Sequence, residues 1–388
     1  MKPLLPVALS FCAITSGFAD APFLDLKFDD ALKKAAQENK IVLIDVCTTW
    51  CPPCRELERV TWPDADVQKL LNEKTVPLMI NADNNEQLAD KYNVVTYPCV
   101  LLLKPDGTEI DRLIGFRPPK DFISDFNLSM SGRTTEVLAR EAVAKAGGKD
   151  PELRLNLADL LRQKGSNAEA LDEFLWCYNH GLENDPNFAW DRKSWLLNSL
   201  EILSETYPPA QKARASLRDD KEKAMLAGTG DRQTADDLVS LNEDQGHPQK
   251  SLDIFDQLPD KSRAIMAIEI ADKLAEAKRY KDLLDTLGNS TPEDIFTKEA
   301  DQSKLQLTAL AGNPEKKDEV KYLTERPLSI GAGFFEALAG SDKDVAAINL
   351  ARKILEFSNA DQTRNQLIKC AVHAGNADVV DFLKDQSN

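Results

Sequence analysis

Apolar residues between positions 28 and 126 switch repeatedly between helical and strand spacing. Residues 29–39 place their apolar side chains on one helical face, and residues 41–46 form a nearly continuous apolar run, as in a strand buried on both sides. Residues 104–107, Lys-Pro-Asp-Gly, have the composition of a hairpin turn. The predicted helices lie at 29–39, from the cysteine pair to residue 63, at 64–73 and at 85–92, and a final helix follows the last strand. The predicted strands lie at 41–46, 75–82, 99–103 and 108–114. This order predicts an α/β fold with one central mixed sheet flanked by helices.

Strand patterns end near residue 132, and helical hairpins follow one another from there. In residues 151–182, two apolar helical faces flank a break at Gly165, and this spacing resembles a tetratricopeptide (TPR) helix pair. Weaker matches to this helix-pair pattern occur at 265–287, 304–323 and 345–383. We therefore expect an all-helical domain at 131–388, with the character of a degenerate, TPR-like solenoid. A cluster of Ser, Gly and Thr at 129–135 is the predicted linker that precedes it.

The first residues have the pattern of a secretory signal peptide. Lys2 precedes an apolar run from Leu4 to Phe18, which ends in small residues before Asp20. The run is too short for a stable membrane span, and no later stretch approaches about 20 apolar residues. We expect a signal peptide at 1–19, cleavage after Ala19, and a periplasmic or secreted protein that does not span the membrane. The alternative is an unprocessed N-terminal segment that stays buried in the protein.

Composition narrows the function classes. A length of 388 residues indicates two or more domains, at roughly 100–200 residues per domain. The chain has 48 Lys and Arg against 64 Asp and Glu, and the resulting net charge of −16 would repel a phosphate backbone. Nucleic acid is therefore not an expected partner. With only 7 cysteines and 3 histidines, neither a disulfide-stapled mini-domain nor a histidine-rich metal site is expected.

Two cysteines with a two-residue spacer carry the candidate chemistry. Cys51 and Cys54, separated by two prolines, directly follow the first predicted strand and open a helix. This spacing lets the sulfurs form a disulfide across the first helical turn, while the positive helix N-terminus stabilises a thiolate on Cys51. Cys51 is the predicted nucleophile that attacks a substrate disulfide, and Cys54 then releases the reduced product.

Further features at fixed positions make residues 28–126 resemble a thioredoxin-fold domain, close to the exported thiol-disulfide interchange domains. The features are Asp45 six residues before Cys51, Asn81 and Asp83 after the next strand, the dipeptide Tyr97-Pro98, and Gly115 after the last strand. The resemblance covers roughly a quarter of the chain. It implies a thioredoxin-like domain at 20–130 and says nothing about the helical remainder.

The resemblance also implies a role for each of four residues. Asp45, desolvated near Cys54, is expected to have a raised pKa and to accept the proton of the resolving thiol. Pro98, expected in the cis form, aims the backbone of Tyr97 at an extended substrate segment. Trp50 is expected to form a partly exposed apolar wall. The alternatives are a solvated acid at the strand end for Asp45 and simple packing for Trp50.

Some positions depart from the family pattern. The lysine that partners the buried acid falls at Met79, which leaves Asp45 without a nearby cation and is expected to raise its pKa further. Cys47 replaces a usual aromatic residue, and Cys99 replaces the usual threonine after the cis-proline. Because these strands are neighbours in the family's sheet, we hypothesise that Cys47 and Cys99 form a second disulfide or exchange with Cys54. Two separate buried thiols that pack as small apolar groups are the alternative.

The leading functional hypothesis is an exported thiol-disulfide oxidoreductase that acts on disulfide-containing proteins, and is a reductase or isomerase rather than an oxidase. No nicotinamide or flavin motif is present, so no cofactor is expected and a reductase needs a membrane-bound electron donor. Pro52 stands where thioredoxin has a glycine, and this leaves the direction of electron flow open.

Other functional readings remain. The main alternative is a client-binding or scaffold protein that holds a protein partner on the helical solenoid, with the thioredoxin-like domain as docking module. A redox sensor in which Cys47 and Cys99 modify the active dithiol is a third hypothesis. A metal site made of the four N-terminal cysteines is not expected, because the spacing lacks a second close pair.

Overall fold

The computed structural model describes residues 22–313 and 316–385. The predicted signal peptide at 1–19 lies outside these described residues. The chain divides into two compact units, one that ends at Glu173 and one that begins at Phe174. Within the described ranges, no helix combines the length and the apolar character needed to cross a membrane.

The first unit is built around a mixed sheet. Among the described residues, four strands pair in the order β2-β1-β3-β4. The strands are β1 (Ile41–Cys47), β2 (Thr75–Asn81), β3 (Cys99–Leu103) and β4 (Glu109–Ile114). β1 pairs parallel with β2 and antiparallel with β3, and β3 pairs antiparallel with β4. All seven residues of β1 are buried, which explains its nearly unbroken apolar sequence.

Helices cover both faces of this sheet, so the predicted α/β fold is confirmed. In chain order, the first helices are α1 (Phe28–Glu38), α2 (Pro52–Glu56), α3 (Ala65–Lys74), α4 (Glu86–Lys91), α5 (Pro119–Met130), α6 (Thr135–Lys145) and α7 (Pro151–Gln163). Of these, α1 and α4 pack in the layer on one face of the sheet, and α3 and α5 pack in the layer on the other. Alternate residues of β1 serve the two hydrophobic layers. Val42 and Ile44 pack in one layer with Ala35 of α1, whereas Leu43 packs in the other with Phe122 of α5.

The rest of the described chain is helical, as predicted. The helices are α8 (Asn167–Asn184), α9 (Ala189–Asp191), α10 (Leu197–Thr206), α11 (Pro208–Leu226), α12 (Arg232–Asp244), α13 (Lys250–Phe255), α14 (Asp260–Glu269), α15 (Ala271–Glu276), α16 (Tyr280–Asp285), α17 (Pro292–Leu310), α18 (Lys317–Ala339), α19 (Asp344–Phe357), α20 (Asp361–Ala374) and α21 (Ala377–Asp385). The predicted helix pair at 151–182 corresponds to α7 and α8, which are separated by Gly165 in a left-handed conformation with φ of 78°. The TPR-like repeat type stays a prediction.

The predicted linker at 129–135 is held on the sheet by one buried carboxylate. Asp111 of β4 accepts hydrogen bonds from the hydroxyl of Ser129 at 2.6 Å, from the backbone N–H of Thr135 at 2.9 Å and from the hydroxyl of Thr135 at 2.6 Å. The end of α5 and the start of α6 are therefore both fixed to β4. The first compact unit accordingly continues past this segment to Glu173. The predicted domain limits, 20–130 and 131–388, stay predictions.

We expect Asp111→Asn to lower the unfolding free energy of the first unit by about 2 kcal/mol. An amide cannot accept all three hydrogen bonds with the strength of a buried carboxylate. Urea unfolding together with amide hydrogen exchange in β4 and α6 measures the effect. Asp25→Asn, at an exposed position before α1, is the matched control. A loss below about 0.5 kcal/mol would show that Asp111 does not hold this segment.

Candidate active site

The two cysteines of the motif form a disulfide at the start of α2. The Cα atoms of Cys51 and Cys54 are 5.3 Å apart, and Sγ of Cys51 accepts a hydrogen bond from the backbone N–H of Cys54 at 3.1 Å. Pro52 and Pro53 occupy the first two helical positions, where a backbone N–H has no helical acceptor. The predicted disulfide across the first helical turn is confirmed.

An exposed indole stands beside this disulfide. Cys51 and Cys54 are only 3% and 2% exposed, whereas Trp50 is 65% exposed. The Trp50 ring packs edge-on against Tyr97, with 5.9 Å between ring centroids, and its Nε1–H donates to Asp83 at 3.1 Å. Trp50 is therefore a largely exposed apolar surface next to the disulfide rather than a core residue.

Asp83 holds the loop that carries Trp50. Its Oδ2 accepts hydrogen bonds from the backbone N–H of Thr49 at 3.1 Å and from the Thr49 hydroxyl at 2.9 Å. These bonds, with that from Trp50, lower the pKa of Asp83. In the sequence, Asp83 stands out only as a family feature, and nothing next to it points to this contact. The usable signal was the parallel pairing of β1 and β2, since the residues that follow two parallel strands meet at one edge of the sheet.

A cis-proline loop completes the surroundings of the disulfide. The peptide bond between Tyr97 and Pro98 is cis, as the resemblance implied. Pro98 is buried immediately before β3, and its carbonyl accepts the backbone N–H of Gly115 at 2.8 Å. Tyr97 packs against the buried cluster that contains Cys51 and Cys54. The structure thus brings the disulfide, Trp50 and the cis-proline loop together.

Asp45 lies in the middle of β1 and is buried, so it is not a solvated acid at the strand end. Its Oδ2 accepts the indole N–H of Trp62 at 2.8 Å, and its Oδ1 has no hydrogen-bond partner among the described residues. Burial raises the pKa of Asp45 to about 7; the Trp62 hydrogen bond opposes this rise, and the negative charge of Glu58 adds to it. Met79 of β2 lies opposite Asp45 in the strand register, and its apolar side chain supplies no cation.

Cys47 and Cys99 lie on opposite faces of the sheet, so the expectation that they are close enough to form a disulfide was wrong. Cys99 pairs in register with Val46, and both pack in the layer beneath α1. Cys47 is the next residue along β1, and because successive side chains of a strand alternate, it points to the other face. There it forms one cluster with Cys51 and Cys54, on the same face of β1 as Asp45.

Both of these thiols are free and buried. Burial raises the pKa of each to about 12, and the negative charge of nearby Asp45 adds to the rise for Cys47. The Cys47 thiol donates a weak hydrogen bond to the carbonyl of Ile80, at 3.6 Å from Sγ. Within residues 22–313 and 316–385, no three His, Cys, Asp or Glu side chains are arranged to hold a metal ion.

The raised pKa of Asp45 makes the stability of the protein depend on pH. The pKa is about 7 in the folded protein against an ordinary 3.8, so the folded state retains a proton that the unfolded chain releases. The associated stabilisation is fully present below pH 3.8 and is lost as the pH rises through about 7. Asp45→Asn, which cannot ionise, is therefore expected to gain up to about 4 kcal/mol of unfolding free energy relative to the parent between acid pH and pH 8.

Urea unfolding of both proteins across this pH range measures that difference. The exposed Asp25→Asn variant should track the parent at every pH. A difference between Asp45→Asn and the parent that does not change with pH would contradict the raised pKa.

Known proteins similar to this chain match the part of it that contains the disulfide site. Residues 28–127 match the family model of a thioredoxin-like domain. Thioredoxin H-type of Oryza sativa subsp. indica is 36% identical over 91 residues, which are 24% of this chain and 70% of that protein. The thiol:disulfide interchange protein DsbD of Colwellia psychrerythraea is 33% identical over 103 residues, which are 25% of this chain and 17% of that protein.

Among solved structures, the C-terminal domain of Neisseria meningitidis DsbD in the oxidised form has 25% identity and a TM-score of 0.23, over 26% of this chain and 88% of that one. The chain thus spans less than a fifth of the length of the DsbD relative and most of the length of the thioredoxin relative. Through residues 28–127, with Cys51 and Cys54 as its CXXC disulfide pair, the chain belongs to the thioredoxin-like family.

Proposed function

We propose that this protein is an exported thiol-disulfide oxidoreductase that reduces or isomerises disulfides in other proteins through Cys51 and Cys54. The observation that carries the proposal is the Cys51–Cys54 disulfide at a helix start, flanked by exposed Trp50 and by the cis-proline loop. Relatives named thioredoxin and thiol:disulfide interchange protein support it.

The proposed reaction is a pair of thiol-disulfide exchanges. The Cys51 thiolate attacks one sulfur of the substrate disulfide, a new sulfur–sulfur bond forms, and the other substrate sulfur leaves as a thiolate. Cys54 then attacks Sγ of Cys51, which closes the Cys51–Cys54 disulfide and frees the second substrate thiol. Two electrons pass to the substrate in each cycle. In isomerisation, a second substrate thiolate instead attacks the substrate sulfur of the mixed disulfide. A new substrate disulfide forms, the bond to Cys51 breaks, and Cys51 leaves as a thiolate with no net transfer of electrons.

Asp45 serves this cycle as the proton acceptor for Cys54. A general base works best when its pKa lies near the working pH, and the pKa of Asp45, about 7, meets that condition. Asp45 is also on the face of β1 that carries Cys47, which belongs to the same cluster as Cys51 and Cys54. Cys47, with its thiol held protonated by a pKa of about 12, takes no part in the proposed cycle.

The substrate is proposed to bind as an extended segment. Because Cys51 is nearly buried, a substrate sulfur must approach along the surface formed by Trp50 and Tyr97. The backbone of Tyr97, before Pro98, would pair with the segment as a strand does, and such pairing depends little on sequence. The signal-peptide pattern of residues 1–19 supports export. A membrane-bound electron donor is part of the proposal because the sequence has no nicotinamide or flavin motif of its own.

The second candidate function is client binding by the helical region. It is favoured by a cavity of about 780 Å³ in the second unit, between α18 and α20. Leu328, Ile354 and Leu367 contribute apolar surface to this cavity, and Glu325 and Glu276 contribute charge. In this reading, the helical region holds a protein partner and the thioredoxin-like domain acts as a docking module.

Replacement of the two cysteines separates these functions. We expect Cys51→Ser to abolish the reduction of insulin by the full chain, because the nucleophile is lost. Cys54→Ser should instead accumulate mixed disulfides, because the attack still occurs but is not resolved. Cys370→Ala, which removes a free thiol that lines the cavity of the second unit, is the control for insulin reduction and should reduce insulin as fast as the parent. Biological activity that survives the double Cys51→Ser, Cys54→Ser replacement would favour client binding instead.

The direction of electron flow is set by the reduction potential of the full chain. Equilibration with glutathione, followed by thiol trapping, measures it. A reductase or isomerase is expected between about −270 mV, as in thioredoxin, and about −180 mV, as in protein disulfide isomerase. A value near −120 mV would mark an oxidant and would contradict the proposed direction.

A further inference from the structure

Trp62 is a fully buried tryptophan whose indole N–H points at the carboxyl group of the site. Its Nε1 lies 2.8 Å from Oδ2 of Asp45, and neither side chain is open to solvent. Met79, the register partner of Asp45 on β2, is apolar and offers no hydrogen bond, whereas the indole of Trp62 does.

A local irregularity of the chain puts Trp62 in this position. After α2, residues Leu57–Thr61 form a π-helical turn, and the backbone N–H of Trp62 donates to the carbonyl of Leu57 at 2.9 Å. The wider turn leaves Thr61 and Trp62, two successive residues, both in the interior. Turns of this kind are frequent at functional sites.

Packing fixes the orientation of the indole ring independently of its hydrogen bond. Phe122 of α5 and Phe23 both meet the ring edge-on, with centroid separations of 5.1 Å and 5.4 Å. These two ring contacts and the complete burial of Trp62 restrict rotation of the indole while its N–H donates to Asp45. The carboxyl group is therefore oriented by a rigid partner, which spends little entropy to keep the bond.

The surroundings of Asp45 leave one of its oxygens for the reaction. Val100 of β3 and Met79 of β2 flank it in the sheet and carry no charge. The negative charge of Glu58, in the π-helical turn, raises the pKa of Asp45. Cys47 is the titratable group next to Asp45 on β1. Oδ2 is engaged by Trp62, and Oδ1 is buried with no hydrogen-bond partner in the part of the chain that the structure describes.

We propose that Trp62 is a positioning residue for disulfide exchange: its indole N–H holds Oδ2 of Asp45 so that Oδ1 receives the thiol proton of Cys54. The proposal rests on the proposed function. As the proton moves to Oδ1, Sγ of Cys54 bonds to Sγ of Cys51 and the substrate sulfur leaves as a thiolate. The proton then passes from Asp45 to that thiolate or to water, which restores the carboxylate.

Trp62→Phe in the full chain tests the proposal, because a phenyl ring keeps contacts with both neighbouring rings and removes the N–H. The reduced protein reacts with Ellman's reagent in two phases, of which the first reports attack by Cys51 and the second reports resolution by Cys54. Rates are measured from about pH 5 to 9. Loss of a hydrogen bond to the carboxylate raises the pKa of Asp45. The midpoint of the pH profile of the second-phase rate should therefore move up by about one pH unit. At pH 7 the second phase should slow several-fold.

Two controls separate positioning from simple packing. In the Asp45→Asn background, Trp62→Phe should cause no further change in the pH profile of the second-phase rate, because the two residues act through one hydrogen bond. Trp190→Phe, which alters an indole in the second unit, should leave the profile unchanged. A folded Trp62→Phe protein whose midpoint stays within about 0.2 pH units of the parent would overturn the proposal.

An NMR titration of the parent protein covers the case in which Trp62→Phe does not fold. The indole N–H resonance of Trp62 should move with a midpoint near the pKa of Asp45, about 7, and this movement should vanish in Asp45→Asn. An indole N–H resonance that does not shift with pH would contradict the hydrogen bond between Trp62 and the titrating carboxyl group of Asp45. Failure of the parent to release any thiol from Ellman's reagent in the second phase would instead refute the proposed function, and the positioning role with it.

Discussion

The burial of one carboxyl group in the central strand governs the chemistry of this site. β1 is enclosed by helices on both faces, so every residue in it loses contact with water, and Asp45 is the one residue of the strand with an acidic side chain. A buried carboxylate is stable only when it is paired or hydrogen-bonded. Within the described ranges, Asp45 has one hydrogen-bond donor, the neutral indole of Trp62, and its pKa lies near neutrality. The same burial keeps the neighbouring Cys47 thiol protonated.

Sheet topology then decides which groups gather around that carboxyl group. β1 and β2 run parallel, so the residues that follow them meet at one edge, where Asp83 holds the loop of Thr49 and Trp50. β3 runs antiparallel to β1 and therefore starts at the same edge, which brings Pro98 to the disulfide. Three separate parts of the sequence thus build one site because three strand ends coincide.

Sequence patterns were sufficient for elements that are determined by neighbouring residues. They were insufficient to tell which face of a strand or helix a given side chain occupies. The buried strand β1, the helix start at Cys51 and the hairpin before β4 each follow from neighbouring residues. The pairing of Cys47 with Cys99 failed because a shift of one residue moves a side chain to the opposite face of a sheet. Trp62 was missed because it reaches Asp45 through a π-helical turn, which changes the helical phase without a recognisable motif. The anchoring of residues 129–135 was missed because Asp111 sits in a strand far from them in sequence.

A second buried carboxylate shows how the partners of Asp45 suit it to the proposed proton transfer. Asp237 of α12 is also buried, but it accepts hydrogen bonds from the guanidinium of Arg192, and the ammonium of Lys221 is 2.7 Å away. Burial alone would raise the pKa of Asp237, yet these two cations hold it at about 2. Such a group stays ionised at any ordinary pH and can only contribute structure. Because Asp45 has a neutral partner instead of a cation, its two protonation states have similar free energies near pH 7, and the proposed transfer of a proton from Cys54 requires that balance.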